Sequence, residues 1–269
     1  FTSITNDFAN DFGLVGAKGV KLNKDGTIAL VMKSSRYIYI LKYISGNWNL
    51  FQTVDTGLGL SLYDAAISDD NLKIFIGMMN KTVYYKYNSN TNIYDQIQII
   101  TYEGRNTEIN GDASILVLSG HYSAGFATYN YNTQTDEYTQ SDNEAPDNWD
   151  KYGIGYNIQI NQAGDIIAVT ANAKGSNVVN MGRVHIYYYN GSTLSLKTTL
   201  QDPTSPNWNN GKFGYGLNMS SDGMKLFINS GSAMDKLYKY VNSGSASSQS
   251  WSLVETKTGN NFDENGVCT

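Results

Sequence analysis

A nine-residue segment recurs five times along the chain, and no other feature of the sequence limits the possible folds as strongly. In each copy the third and fifth positions are mostly apolar, and the second and fourth are mostly polar or small. The copies are KGVKLNKDG from Lys18, YDAAISDDN from Tyr63, RNTEINGDA from Arg105, YNIQINQAG from Tyr156 and YGLNMSSDG from Tyr215. This alternation, closed by a turn-forming pair, is typical of a half-buried β-strand that ends in a tight turn.

Three more strands are predicted after each copy of the segment. A six-residue apolar run such as Thr27–Met32 comes first, and it is too short for a helix, which needs about ten residues. A third strand then ends on a tyrosine, at Tyr43, Tyr87, Tyr131, Tyr189 and Tyr240. A fourth strand starts at Trp48, Tyr94, Tyr138, Leu194 and Trp251. The repeating unit is therefore four consecutive antiparallel strands.

The spacing of the units predicts how they are arranged. The turns that close the five segments end at residues 26, 71, 113, 164 and 223, about 49 residues apart on average. Four-stranded units at such a period are typical of a β-propeller, whose sheets stand around a central channel. We therefore predict a single all-β propeller domain of five blades. The blades cover about 14–56, 57–100, 101–148, 149–205 and 206–258, with lead-in or ring-closing segments at 1–13 and 259–269.

The second half of the chain carries a family resemblance. From Tyr152 to Trp251, the motifs KYGIGYNIQINQAGDIIAV, FGYGLNMSSDGMKLFI and VHIYYYNG resemble FG-GAP (integrin-α-like) β-propeller repeats. The first three blades match more loosely, and the second and third lack a clean Phe-Gly pair. The resemblance implies an extracellular or cell-surface module for adhesion and recognition, and some relatives bind sugars.

Composition argues against several classes of function. The formal net charge of -5 leaves no basic excess to neutralise nucleic-acid phosphates. The longest apolar stretches, Ile28–Met32 and Ile115–Leu118, are far shorter than the roughly 20 residues of a membrane-spanning helix. We expect neither nucleic-acid binding nor membrane insertion.

Metal and cofactor binding are not expected either. One cysteine and two histidines leave little for a cysteine- or histidine-ligated metal. Members of the resembled family often carry an acidic calcium loop between the second and third strands of a blade. The five corresponding loops here contain one acidic residue, Asp235. Because calcium needs several converging oxygen ligands, the sequence predicts no metal site and no cofactor.

Four aromatic residues occupy one slot of the repeat, just before the first strand of a blade: Phe8, Trp149, Trp208 and Phe262. Exposed aromatic side chains in loops often anchor ligands, so these four are candidates for contact with a sugar or a protein. Their recurrence equally suits residues that pack between blades. Both interpretations stay open.

Covalent modification has three candidate positions. Asn80 and Asn190 begin Asn-x-Ser/Thr sequons, which accept N-glycans in secreted proteins. Cys268 is either a free thiol or an intermolecular contact near the last residue of the sequence.

Asp64 and Glu108 are the candidate catalytic residues, at polar positions on the innermost strands of the second and third blades. A glycosidase needs two such carboxyl groups about 5 to 9.5 Å apart. A mixed polar lining of a wet channel would use the same positions without chemistry. His185, in the third strand of the fourth blade, is expected to be structural.

These observations lead to one expected function with two alternatives. We expect a non-catalytic, extracellular propeller that serves as an interaction or structural module through a protein partner or self-assembly. The contact surfaces would be the loops between the second and third strands of blades four and five, with the Trp-containing lead-ins. The alternatives are a lectin-like carbohydrate-binding propeller and a glycoside hydrolase that uses the channel carboxylates.

Overall fold

The computed structural model describes residues 17–33, 36–57, 61–120, 125–144, 154–172, 182–203, 213–230 and 236–258. Every regular element within these ranges is a β-strand, and no stretch of them makes a helix that could cross a membrane. The strands form five antiparallel sheets of four, each built from consecutive strands. The predicted all-β architecture of five four-stranded units is confirmed.

The five sheets are numbered as blades in chain order. Blade 1 contains β1 (Ala17–Leu22), β2 (Ile28–Lys33), β3 (Tyr37–Ile44) and β4 (Asn47–Asp55). Blade 2 contains β5 (Leu62–Ile67), β6 (Lys73–Met78), β7 (Thr82–Asn88) and β8 (Ile93–Ile100). Blade 3 contains β9 (Asn106–Ile109), β10 (Ile115–Ser119), β11 (Phe126–Asn132) and β12 (Glu137–Glu144).

Blades 4 and 5 follow the same plan. Blade 4 contains β13 (Ile154–Ile160), β14 (Ile166–Asn172), β15 (Gly182–Tyr189) and β16 (Leu194–Gln201). Blade 5 contains β17 (Phe213–Met219), β18 (Lys225–Ser230), β19 (Lys236–Asn242) and β20 (Trp251–Thr258). The first strands lie side by side in the order β1, β5, β9, β13, β17, so they line the axis of the array.

The turns between the first and second strands have one conformation in all five blades. The residues that close the repeated segments have φ of 72°, 62°, 52°, 85° and 72°, at Gly26, Asn71, Ala113, Gly164 and Gly223. Positive φ favours glycine and asparagine, which explains the turn-forming pairs in the sequence. Each of the five turns contributes a residue to the lining of one cavity, so they share one end of the molecule, which we call the inner-turn face.

Hydrophobic clusters between adjacent blades form the core. Leu30 of blade 1 and Ile76 of blade 2 are fully buried in one such cluster. Between blades 2 and 3, the rings of Phe75 and Tyr84 stack 5.1 Å apart, and Tyr138 meets Phe75 edge-on at 5.0 Å. Apolar strand faces are thus buried blade against blade, and the polar ends of the first strands are left for the axis.

Candidate active site in the central channel

Side chains from blades 1 and 4 converge on Glu108 of blade 3 at the axis. The inner strands share a register, in which Lys21, Glu108 and Gln159 pair with Leu30, Val117 and Ala168 of their second strands. Lys21 Nζ lies 3.0 Å from Glu108 Oε1, and Gln159 Nε2 donates to the same oxygen at 3.4 Å. Residues far apart in sequence therefore hold one carboxylate oxygen in place.

A cavity of about 260 Å³ opens above this group on the inner-turn face. Lys21 and Glu108 line it together with apolar side chains, which include Ile67, Ile109 and Ile160. Further polar lining comes from the inner turns: Lys24, Asp69, Asn110, Gln162 and Ser221. Apolar walls with a few polar groups are typical of sites for small molecules, and this cavity is a small one.

The ionisable groups at the axis change one another's proton affinity. Burial raises the pKa of Glu108; the positive charge of Lys21 opposes this rise, and the negative charge of Asp64 adds to it. Burial lowers the pKa of Lys21, but Glu108 and Asp64 outweigh burial, so that its pKa is raised. The side chains of Lys21 and Glu108 remain 35% and 20% exposed, so both are accessible from the cavity. The site thus pairs an ammonium group with a carboxylate of raised basicity.

Asp64 has a different place from the one predicted. Its Oδ2 accepts a hydrogen bond from the backbone N–H of Thr107 in the next blade at 2.9 Å, and it is not among the residues that line the cavity. Asn106 and Asn157, at the same repeat position, each donate to a carbonyl of the following blade at 2.8 Å. Asp64 therefore belongs to a set of links between inner strands, and burial raises its pKa although Lys21 and backbone N–H groups favour its ionised form.

Most other predicted site residues lie outside the described part of the chain. These are Phe8, Trp149, Trp208, Phe262 and Cys268, together with the loops 173–181 and 231–235 and the segments 1–13 and 259–269. Among the residues that are described, no group of three or more His, Cys, Asp or Glu side chains could hold a metal ion.

The sequons and His185 are described. Asn80 is exposed between β6 and β7, and Asn190 is exposed between β15 and β16, where its amide nitrogen donates to Thr193 Oγ1 at 2.9 Å. His185 is buried, and its Nδ1 lies 2.9 Å from Thr199 Oγ1 on the neighbouring strand. This hydrogen bond is consistent with the structural role expected for His185.

Sequence reasoning identified Glu108 but missed the residues that surround it. Lys21 and Gln159 occupy its position in the repeat, each directly before the apolar fifth residue of its segment. A search of that repeat position for opposite charges would have picked out Lys21 as a partner. The Lys24 and Asp69 pair at the rim, 2.7 Å apart, lies in turns that carried no signal of function.

No protein-family model and no curated protein matches the chain. Solved structures with the same fold do exist. A putative 6-phosphogluconolactonase from Bacteroides uniformis is 13% identical with a TM-score of 0.65, over 89% of this chain and 73% of that one. A periplasmic gluconolactonase from Pseudomonas aeruginosa is 13% identical with a TM-score of 0.62, over 88% and 69%. The Swd1 β-propeller domain from Myceliophteria thermophila is 10% identical with a TM-score of 0.63, over 91% and 73%.

The comparisons confirm the β-propeller fold and correct the expected function. The non-catalytic module and the absence of enzyme activity were both wrong expectations, because structures of this fold carry the names 6-phosphogluconolactonase, as a putative one, and gluconolactonase. The physical reason for the error lies in the channel. The sequence showed polar positions that a passive lining would also tolerate, and only the fold brings Lys21 against Glu108 beside a cavity.

Proposed function

We propose that the chain is a hydrolase that opens a sugar-derived lactone in the channel cavity, with Glu108 as the general base. The observation that carries the proposal is the Glu108 carboxylate, of raised pKa, held 3.0 Å from an ammonium group beside a cavity of about 260 Å³. The gluconolactonase names of similar folds support the reaction class. A fold alone does not determine a reaction, and the side chains of the site are what favour this one.

The reaction needs water as the only co-reactant. Ionised Glu108 takes a proton from a water molecule while the water oxygen attacks the lactone carbonyl carbon. Negative charge then develops on the carbonyl oxygen. The Lys21 ammonium group stabilises that charge. The tetrahedral centre then collapses, the bond from the carbonyl carbon to the ring oxygen breaks, and the ring oxygen takes the proton from Glu108. The product is a hydroxy acid, which ionises in solution.

Gln159 is a positioning residue in this scheme. Its Nε2 donates to Glu108 Oε1 at 3.4 Å and to the Ile158 carbonyl at 2.8 Å, while its Oε1 accepts from the Met219 N–H at 3.4 Å. These contacts fix the amide between blades 4 and 5. The second carboxylate oxygen of Glu108 carries no hydrogen bond to these residues, so we assign it the role of accepting the proton from water.

A lactone suits the site better than a glycoside. Glycoside hydrolysis places a second carboxyl group across the scissile bond from the first. Asp64, which the sequence pairs with Glu108, is engaged with the Thr107 N–H and does not line the cavity. Ring opening of a lactone needs one general base and one group that stabilises the oxyanion, and these are the groups present.

The test is the hydrolysis of D-glucono-1,5-lactone, followed as proton release at mildly acidic pH, where the spontaneous reaction is slow. We expect E108Q to lower kcat/KM by about 10² to 10⁴-fold, because it removes the base and keeps the shape of the side chain. E137Q is the matched control, since Glu137 is exposed on β12, and it should retain full activity. An E108Q variant that folds and keeps wild-type activity would contradict the proposal.

The pH profile of the wild type supplies a second readout. The ionised carboxylate is the reactive form, so the rate should rise with pH through the pKa of Glu108. Because burial raises that pKa, the midpoint should lie above 4.5, the ordinary value for glutamic acid. E108Q should lose this limb of the profile.

The remaining sequence-based expectations stay predictions. They are membership of the FG-GAP repeat family, an extracellular or cell-surface location, and a protein partner or self-assembly. A sugar-derived substrate is compatible with the carbohydrate recognition that the resemblance implies.

A further inference from the structure

Each lysine that lines the cavity is already paired with a carboxylate. Lys21 Nζ lies 3.0 Å from Glu108 Oε1, and Lys24 Nζ lies 2.7 Å from Asp69 Oδ2. Gln162 also donates to Asp69 Oδ2, at 3.3 Å. The negative charge of Asp64 also acts on Lys21, although Asp64 does not line the cavity. Among the described lining residues, the positive charges are therefore balanced within the protein.

This balance decides which ligands the cavity accepts. A phosphate group carries close to two negative charges at neutral pH and is normally bound by unpaired Arg or Lys side chains or by clusters of backbone N–H groups. In the described lining, a phosphate would have to displace Asp69 from Lys24 or Glu108 from Lys21. An uncharged polyhydroxy ring meets no such cost.

The rest of the lining fits an uncharged ring as well. Leu22, Ile67, Ile109 and Ile160 supply apolar contacts for the C–H faces of a sugar, and Gln162 and Ser221 supply polar groups at the rim. Leu22 is 50% exposed, so its side chain is open to a ligand. Apolar walls with a few placed polar groups are typical of sites for small neutral ligands.

We propose that the cavity selects an uncharged, non-phosphorylated sugar lactone, and that the Lys24 and Asp69 pair at its rim excludes phosphorylated analogues. That the ligand is a lactone rests on the proposed function. That it is uncharged rests on the charge balance of the lining residues. Asp69 acts as a specificity residue: its carboxylate neutralises Lys24 and repels an anionic ligand. The release of the hydroxy acid product benefits from the same negative charge.

The experiment measures binding without turnover. Calorimetry compares D-gluconolactam, a neutral analogue whose amide resists hydrolysis, with its 6-phosphate on the wild type and on D69N. The wild type should bind the neutral lactam at least about tenfold more tightly than the phosphorylated one. The affinity for the neutral lactam should change little with salt concentration. D69N frees Lys24, so it should improve the affinity for the phosphorylated lactam about fivefold or more and leave that for the neutral lactam unchanged.

D55N is the matched control, because Asp55 pairs with Arg36 at 2.7 Å outside the cavity and its loss changes the net charge equally. It should alter neither affinity. Tighter or equal binding of the phosphorylated lactam by the wild type, or no binding of either lactam, would overturn the inference. Selective binding of the neutral lactam without hydrolysis of the gluconolactone would remove the proposed function and leave the selectivity standing.

Discussion

Asp136, in the turn between β11 and β12, joins blade 3 to blade 2 through a single carboxylate. Its Oδ2 lies 2.6 Å from Lys86 Nζ, and its Oδ1 accepts hydrogen bonds from the hydroxyls of Tyr84 and Tyr131. Burial raises the pKa of Asp136, but the hydrogen bonds from Lys86 and Tyr131 outweigh burial, so the pKa is lowered overall. A carboxyl group with a lowered pKa stabilises the fold where it is ionised.

We expect D136N to lower the melting temperature at neutral pH by a few degrees, about the shift that 1 kcal/mol produces in a chain of this size. The stabilisation by Asp136 is complete above its unfolded pKa of about 3.9 and is lost as the pH falls through the lower folded value. The difference between wild type and D136N should therefore shrink below about pH 4. E137Q, next to it and exposed, is the control. A difference that is equal at all pH values would show that the charge of Asp136 is not the cause.

The outermost strands of adjacent blades are linked by the same pair of hydrogen bonds in two places. Gln52 of β4 donates to the Tyr94 carbonyl at 3.0 Å and accepts from the Tyr94 N–H at 2.8 Å. Gln98 of β8 makes the same pair of bonds to Tyr138, at 2.9 and 2.7 Å. Each glutamine lies next to a β-bulge in the pairing of the third and fourth strands, which aims its side chain at the next blade.

We expect Q98A to destabilise the fold by about 1 to 3 kcal/mol, because it leaves the backbone N–H and carbonyl of Tyr138 without these partners. Q96A is the matched control, since Gln96 is exposed on the same strand. Urea unfolding of both variants measures the difference. Equal stability of Q98A and Q96A would show that the link is dispensable.

Burial of the strands is uneven among the blades. Every residue of β6 in blade 2 is buried, whereas β18 in blade 5 alternates between buried and less buried positions. In β20, the fourth strand of blade 5, all residues after Trp251 are exposed. Few buried contacts mean a low free energy of local opening.

Hydrogen exchange should reveal this gradient. Amides of β20 should exchange at least about tenfold faster than those of β8, the fourth strand of blade 2, and the amides of β6 should be among the slowest. β8 is the appropriate comparison because it holds the same position in its blade and buries Tyr94 and Ile100. Equal protection of β20 and β8 would show that the exposed strand is covered in solution.

Much of the fold could be predicted because its determinants are local. The alternation of apolar and polar residues in segments such as Lys18–Gly26 depends on which side chains face water. The choice of Gly26 or Asn71 at the end of a turn depends on the positive φ of that one residue. Both are properties of a few adjacent residues. The site was half predicted: Glu108 was singled out by its type and strand position, and Asp64 was paired with it because the two share an inner strand face.

The strands, the turns, the repeat and the fold class of this protein can all be read from its amino-acid sequence. The contact of Lys21 with Glu108, 87 residues away, and the hydrogen bond from the Thr107 N–H to Asp64 depend on how the blades pack. A β-bulge in the pairing of β5 with β6 lies beside Asp64, and such a break in register redirects side chains. The repeat period predicts how often a blade occurs along the chain. The distances between side chains of different inner strands, such as Lys21 and Glu108, depend on how the blades pack. That packing depends on contacts between side chains from different blades, so no local pattern contains it.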